Sequence, residues 1–305
     1  MSTSVTITGT GCPIPNGHRA GPGALVRYND IMLQFDTGRS TVQRLAGADV
    51  WIPDLGAVFL THYHSDHVSG LYDVVLTYWN MDRTDDNPPL PVIAPRGSTS
   101  EFVSTVLAGW EDDIEVRAQH AGRKTRPAVD LLSFDVPDSP TEVWRTTDEA
   151  GGEVVVSAGQ VRHEPVEGAV GYRIDTPDGS VAISGDTRVC DEVAELAQGV
   201  DVLVYEAMRF SFYDDLPDYR KYVTDYHADT KLIGAQAAEM GVPKIVLTHL
   251  IPAPNNEEER KAFFDEVRSG GYEGEIIVAD DLYTCEVGGG GLPQVDPVIA
   301  TEEQS

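Results

Sequence analysis

Cysteine, lysine and long apolar runs are all scarce in this chain of 305 residues. The three cysteines, Cys12, Cys190 and Cys285, are odd in number and far apart, which argues against a disulfide framework and favours a reducing compartment. No apolar run reaches the length of a membrane span, and the N-terminal residues lack the basic and apolar parts of a signal peptide. We therefore expect a globular, soluble protein in the cytoplasm, without a membrane partner.

Positive charge is also scarce. The chain has 22 Lys and Arg against 50 Asp and Glu, a net charge of −28 at pH 7, and only five of the basic residues are Lys. Because nucleic-acid binding depends largely on cations that neutralise phosphates, a nucleic-acid polymer is an unfavourable partner for this surface. Solubility or adaptation to high salt is favoured as the reason for the charge, over attraction of a cationic partner.

Side chains that bind metal ions are concentrated in one loop. The apolar residues 58–60 have the pattern of a strand, and the loop 61–67 follows them directly. This loop contains four residues that bind divalent cations in proteins: His62, His64, Asp66 and His67. Alternate residues that leave a strand can surround one ion, so His62 and His64 fit one cation, while Asp66 and His67 point elsewhere and fit a second. The spacing favours a two-metal centre over a single structural zinc or a solvated polar turn.

Three more residues of the same type each follow an apolar strand: His163, Asp186 and His249. Gly185 allows the tight turn that projects Asp186 from its strand end. A single histidine is more often a satisfied polar residue than a ligand. Strand ends can converge, however, so together with the histidine loop these residues predict one metal centre. Asp36, at another strand end, is either a turn or capping residue or an acceptor that orients a ligand histidine.

Strands and helices alternate along the chain, which predicts an α/β layer fold. Residues 24–28 and 31–35 form a predicted hairpin around Asn29 and Asp30. Residues 68–79 and 98–110 have apolar side chains at helical spacing.

Two stretches lack such a pattern. Residues 121–152 are charged and irregular, and we expect a surface excursion there. Four consecutive glycines open residues 288–305, which we expect to be a flexible tail after a catalytic domain of residues 1–287.

The order of these motifs resembles that of the metallo-β-lactamase superfamily, and the resemblance covers roughly residues 5–287. It implies an α/β fold of the αββα type, a four-layer sandwich in which two β-sheets pack face to face with helices outside. It also implies two Zn²⁺ ions per chain, with Mn²⁺ or Fe as alternatives. The ligands implied for the two ions are His62, His64 and His163 for one, Asp66, His67 and His249 for the other, and Asp186 as the bridge between them.

Residues 202–207, 226–230 and 246–252 are similar to the ribonuclease Z and arylsulfatase-like branch of that superfamily. In that branch a histidine placed like His227 assists the departing group. The alternative role of His227 is to cap the helix predicted to begin near Asp229. Ribonuclease Z carries a long basic arm for tRNA, but here only 22 residues separate His163 from Asp186. The arm is absent, and with the net charge this disfavours tRNA 3′ processing.

A two-metal site of this kind predicts a hydrolase. Two cations lower the pKa of a shared water, so that a bridging hydroxide attacks the substrate; Asp66 would accept or steer its proton, and a protonated His227 would donate to the leaving oxygen. The expected substrate is a small phosphodiester or sulfate ester, with an aryl ester or a cyclic nucleotide among the candidates. The alternatives are hydrolysis of a lactone or another carboxylic ester, a single iron that oxygenates a sulfur compound, and metal binding without turnover.

Residues 208–226 concentrate aromatic side chains in a segment rich in Asp. A lid over the metal centre would favour a flat aryl group in the substrate. A cluster that pins a loop, or an oligomer contact such as that of a homodimer, is an equally favoured interpretation.

Overall fold

The computed structural model of the protein describes residues 3–288, so the tail predicted for residues 288–305 lies outside the described residues except for Gly288. No helix in the described range is long and apolar enough to cross a membrane. In chain order the strands of this range are β1 Thr3–Gly9, β2 Gly23–Tyr28, β3 Ile31–Phe35, β4 Ala57–Phe59, β5 Leu90–Pro95, β6 Val129–Phe134, β7 Thr141–Thr147, β8 Glu153–Gln160, β9 Val170–Thr176, β10 Gly179–Ile183, β11 Val202–Met208, β12 Lys244–Ile251, β13 Glu275–Val278 and β14 Thr284–Val287. The α-helices are α1 Thr41–Gly47, α2 Ser65–Val68, α3 Leu71–Met81, α4 Ser98–Thr105, α5 Glu111–Ala121, α6 Asp191–Leu196, α7 Thr230–Met240 and α8 Glu257–Ser269. Short 3₁₀ helices occupy Ile52–Asp54, Phe210–Tyr213 and Asp218–Asp225.

The strands form two sheets of seven. Their order is β14-β1-β2-β3-β4-β5-β6 in the first sheet and β13-β12-β11-β10-β9-β8-β7 in the second. Each sheet combines antiparallel pairs with parallel ones. The predicted hairpin is present, because Tyr28 of β2 pairs with Ile31 of β3 in antiparallel register.

The two sheets pack face to face with helices on their outer sides. Every residue of β11 is buried, and successive side chains of a strand point to opposite faces. Val202 and Val204 belong to the core between the sheets, whereas Leu203 and Tyr205 pack with side chains of α7 and α8. Side chains of α3 and α4 cover the first sheet in the same way. The fold is therefore the expected αββα four-layer sandwich.

The helix predicted over residues 68–79 is interrupted. α2 ends at Val68 and α3 begins at Leu71. Gly70 lies between them, and a Cβ atom there would lie 2.3 Å from the carbonyl oxygen of Gly38. This backbone contact requires glycine, and it lies at the break between the two helices. The helix predicted over residues 98–110 is also shorter, because α4 ends at Thr105 and turns follow.

The prediction of a surface excursion over residues 121–152 was wrong. This stretch contains β6 and β7, which pair with β5 and β8 and form one edge of each sheet. Edge strands carry charged and exposed side chains, and no residue of β6 is fully buried. The weak pattern therefore reflects the position of these strands at the sheet edges.

Candidate metal centre

The candidate centre lies where several strands end. β4 leads into the histidine loop, β10 leads into the turn before Asp186, and β12 contains His249 near its end. β10, β11 and β12 are parallel, so their carboxyl ends meet at one edge of the second sheet. The structure brings all seven of the predicted ligand residues together at this edge.

His249 reaches the centre through a bulge in β12. Thr248 and Leu250 pair with successive residues of β11, which leaves His249 as the extra residue between them. Its φ is 46°, in a region that non-glycine residues rarely adopt. A bulge re-aims a side chain, and here it directs His249 toward Asp66 and Asp186.

The first group of candidate ligands contains His62, His64, His163 and Asp186, whose ligand atoms all lie within 4.8 Å of one another. His64 Nδ1 is 3.3 Å from His163 Nε2. Asp186 Oδ2 is 3.9 Å from His62 Nε2 and 3.8 Å from His163 Nε2. His64 is half-buried while the other three are buried, so this group is open to solvent at His64.

The second group contains Asp66, His67 and His249. Asp66 Oδ2 is 3.3 Å from His249 Nε2 and 3.7 Å from His67 Nε2. Asp186 faces this group as well, because its Oδ1 is 3.2 Å from His67 Nε2 and its Oδ2 is 3.4 Å from His249 Nε2. Asp186 therefore lies between the two groups, where a bridging ligand would be.

The donor atoms fit divalent cations. Among the described residues, His62 Nε2 is buried without a hydrogen-bond partner, and an unsatisfied buried group costs about 1–3 kcal/mol. His67 Nε2 and Asp186 Oδ1 are also buried and face each other at 3.2 Å without the geometry of a hydrogen bond. Burial also lowers the pKa of His62 well below its ordinary value, which favours the neutral imidazole that binds metals. Burial is outweighed at His67 by the neighbouring Asp186 and Asp36, which raise its pKa, so a cation at His67 Nε2 would displace a proton. Converging atoms of this kind indicate a cation as their partner. The role of each residue as a ligand stays a prediction.

Asp36 fixes the histidine loop through hydrogen bonds to two of its residues, Thr61 and His67. Its Oδ2 accepts a hydrogen bond from His67 Nδ1 at 2.7 Å, and its two oxygens accept from the backbone N–H and the hydroxyl of Thr61, each at 2.8 Å. Bonding at Nδ1 leaves Nε2 of His67 for the centre. Of the two roles considered for Asp36, the structure supports the acceptor of a ligand histidine.

Glu206 is a candidate functional residue to which the sequence analysis assigned no role. It lies in β11 and is 1% exposed. Its Oε1 accepts hydrogen bonds from His227 Nδ1 at 2.9 Å and from the Thr187 backbone N–H at 2.8 Å. A carboxylate in a fully buried strand needs a partner, and this is the signal that could have identified it.

The side chain of His227 is oriented by a hydrogen bond to Glu206 and does not cap the following helix, α7. α7 begins at Thr230 with Asp229 at its N-cap position, and the His227 side chain bonds to Glu206 instead, so the structure does not support the capping role. Burial lowers the pKa of His227 and raises that of Glu206 well above its ordinary value. The hydrogen bond between them acts in the opposite direction, because a carboxylate favours the imidazolium form.

In the aromatic segment 208–226, some side chains pack in an apolar cluster and one, Tyr226, borders the candidate centre. The inner side chains pack in a small apolar cluster of Cys12, Met208, Phe210, Tyr213, Val223 and Ile251. Tyr226 lies toward the centre: its ring is 5.2 Å from that of His163, and its carbonyl accepts a hydrogen bond from His163 Nδ1 at 2.9 Å. The pinning role thus applies to the inner side chains, while Tyr226 borders the candidate centre.

Comparison with known proteins gives three findings. Residues 30–250 match a family model described as a beta-lactamase superfamily domain. Ribonuclease Z of Mycobacterium bovis (strain BCG / Pasteur 1173P2) is 37% identical over 287 residues, which cover 93% of this chain and 98% of that protein. Among solved structures, the metallo-beta-lactamase fold protein YhfI from Bacillus subtilis superposes with a TM-score of 0.70 at 20% identity, over 94% of this chain and 100% of that one. The last likeness concerns the fold.

The chain therefore belongs to the metallo-β-lactamase superfamily and, within it, to the ribonuclease Z branch. It is a hydrolase of that superfamily, and its clustered His and Asp side chains are able to hold metal ions. The resemblance inferred from the motifs is confirmed at this level.

Proposed function

We propose that the protein is a phosphodiesterase that uses two divalent cations, with Zn²⁺ as the favoured metal and Mn²⁺ or Fe as alternatives. The observation that carries the proposal is the position of Asp186 between two groups of ligand atoms, 3.2–3.9 Å from histidines of both. A site for one ion does not need Asp66, His67 and His249 as well. Two cations bound there would supply Lewis acidity and a water of lowered pKa.

Asp66 is the residue proposed to accept or steer the proton of the attacking water. It is 2% exposed, and its Oδ2 lies at the centre, close to the Nε2 atoms of His67 and His249. A buried carboxylate in this position would lie within reach of a water held by the two cations.

His227 is the residue proposed to donate a proton to the leaving oxygen. Its Nδ1 bonds to Glu206, so donation must come from Nε2 of an imidazolium. The hydrogen bond to Glu206 favours that form and opposes burial, which lowers the pKa of His227 and raises that of Glu206. The Thr187 N–H that also bonds to Glu206 keeps its side chain in place. Glu206 is thus a positioning residue for His227.

A small phosphodiester is the first candidate substrate. The net charge of −28 repels polyanions, and a long nucleic acid would bind well only at a local basic patch. The sulfate ester considered in the sequence analysis remains an alternative for the assay.

RNA 3′ processing is the second candidate, because the relative that is 37% identical over 93% of this chain is named ribonuclease Z. The connection between β8 and β9, residues 161–169, is too short to form an arm. The match also covers 98% of that relative, which leaves little room for an arm there either. The absence of an arm therefore does not argue against RNA as the substrate. The net charge of −28 is the remaining reason that disfavours it.

Parallel assays of the metal-loaded protein test the proposal. We expect hydrolysis of bis(p-nitrophenyl) phosphate, and little or none of p-nitrophenyl sulfate, a lactone or a β-lactam. Activity should disappear in Asp186→Asn and persist in Tyr219→Ala, a substitution of a ring that is 78% exposed. Hydrolysis of the lactone alone would overturn the proposal, and cleavage of a tRNA precursor without cleavage of the small diester would establish the second candidate.

A further inference from the structure

A series of neighbouring aromatic rings borders the candidate centre at the ligand that is open to solvent. In order the rings belong to Tyr63, His64, His163, Tyr226 and Tyr222, and successive ring centroids are 6.0, 5.0, 5.2 and 6.3 Å apart. Tyr63 is 39% and Tyr222 61% exposed. This ring series therefore begins and ends in an exposed tyrosine, with two candidate metal ligands between them.

The chain on either side of Tyr222 is attached to the rest of the protein, although the Tyr222 ring is exposed. The next residue, Val223, packs in the apolar cluster with Phe210 and Tyr213. Four residues after Tyr222, the carbonyl of Tyr226 bonds to His163. The backbone that carries Tyr222 is thus attached on both sides, and its ring offers a flat surface on which another ring can stack.

The two ends of the ring series lie beside different residues of the candidate centre. The Tyr226 ring is 4.7 Å from the ring of His227, the residue proposed to protonate the leaving oxygen. Tyr222, which is next to Tyr226, is therefore at the end of the series that includes this contact with His227. Tyr63 is at the opposite end of the series, next to His64.

We infer that Tyr222 and Tyr63 bind flat aromatic groups of the substrate, Tyr222 that of the leaving group and Tyr63 that of the retained ester group. This inference rests on the proposed function and specifies its substrate class, phosphodiesters whose ester groups carry an aryl or heteroaryl ring. Ring stacking needs no positive charge, which suits a protein whose net charge is −28. An alkyl group offers neither tyrosine a comparable partner.

Two diesters with the same leaving group test this assignment. For p-nitrophenyl phenyl phosphate, Tyr63→Ala and Tyr222→Ala should each raise KM by about 3- to 10-fold at unchanged kcat. For p-nitrophenyl methyl phosphate, only Tyr222→Ala should raise KM, because the aromatic leaving group is present but the retained group is not aromatic. Tyr63→Phe and Tyr222→Phe should keep the wild-type KM. Tyr219→Ala is the matched control, since Tyr219 lies in the same segment and outside the ring series.

A binding measurement separates this inference from the proposed function. Calorimetry should show that diphenyl phosphate binds the metal-loaded protein more tightly than dimethyl phosphate, and that each alanine variant removes part of the difference. This result would support the ring assignment even if neither diester were hydrolysed, in which case only the proposed function would fail. Equal binding of the two diesters, or KM values that neither alanine variant changes, would overturn the inference.

Discussion

The histidine loop 61–67 and the aromatic segment 208–226 both border the candidate centre, yet they are built in opposite ways. In the loop, His62, Asp66 and His67 are at most 2% exposed, and Asp36 fixes the loop through Thr61 and His67. In the segment, Tyr219 and other rings point into solvent, and attachment depends on a small apolar cluster. The comparison indicates that the candidate ligands lie at buried strand ends, whereas the rings proposed to bind the substrate are exposed, Tyr222 in the segment and Tyr63 in the loop itself.

Asp186→Asn should produce the largest effect and tests the buried side of the comparison. The amide keeps the shape of Asp186 but removes the charge that faces both groups of ligand atoms. We expect kcat to fall by about 10³-fold or more, with loss of bound metal by elemental analysis. A variant that keeps both its metal and its activity would contradict the bridging role of Asp186.

His227→Ala should reduce kcat by about 10²-fold for a diester with a poor leaving group and much less for a p-nitrophenyl diester, whose leaving group needs little protonation. Metal content should not change, because His227 is not one of the seven proposed ligands. A loss of metal would instead assign His227 to the group of ligand atoms that it forms with Asp186 and His249. Unchanged turnover of the poor substrate at full metal occupancy would remove His227 from the mechanism.

Asp36→Asn should weaken metal binding without direct contact with a cation. The substitution removes the carboxylate that accepts from His67 Nδ1, and changes of this kind typically cost 10- to 100-fold in metal affinity or activity. We expect about a tenfold rise in the metal dissociation constant, measured by competition with a chelator.

Asp148→Asn is the matched control for that variant. Asp148 is also a buried carboxylate that accepts hydrogen bonds from backbone N–H groups. It lies before the start of β8, whereas the candidate ligand His163 follows the end of that strand, so Asp148 is at the other end of β8 from the candidate centre. An equal loss of metal affinity in Asp148→Asn would show that the effect of Asp36→Asn is a general loss of stability.

Phe212→Ala should have the smallest effect and tests the exposed side of the comparison. Phe212 is 49% exposed and contacts Tyr213 at 5.4 Å between ring centroids, outside the ring series. We expect kcat and KM to change by less than about threefold, in line with exposed substitutions. A large loss of kcat would break the comparison, because it would place part of the reaction chemistry on the exposed segment.

Much of the candidate site could be predicted from the sequence because its residues have distinctive chemistry at strand ends. Histidine and aspartate directly after an apolar strand, as in His62 and Asp186, identify themselves by residue type and position. The bulge that turns His249 inward could not be predicted, because it depends on the register between β11 and β12. Glu206 went unassigned because its partner His227 is 21 residues away in the sequence and meets it only in the folded chain.

The α/β sandwich could be predicted, but its edges could not. Central strands such as β11 are buried throughout and stand out in the sequence. β6 and β7 are partly exposed and owe their place to hydrogen bonds with β5 and β8. The break between α2 and α3 also depends on a tertiary contact, the approach of Gly70 to the Gly38 carbonyl, which no local pattern indicates.

Elemental analysis of the purified protein, combined with an oxygen-consumption assay, tests the two-metal centre most directly. We expect two divalent ions per chain and no oxygen uptake, with at least one ion lost in His163→Ala, which removes a member of the first group of ligand atoms. One iron ion per chain together with oxygen consumption, or a protein that is active with no metal bound, would contradict this expectation.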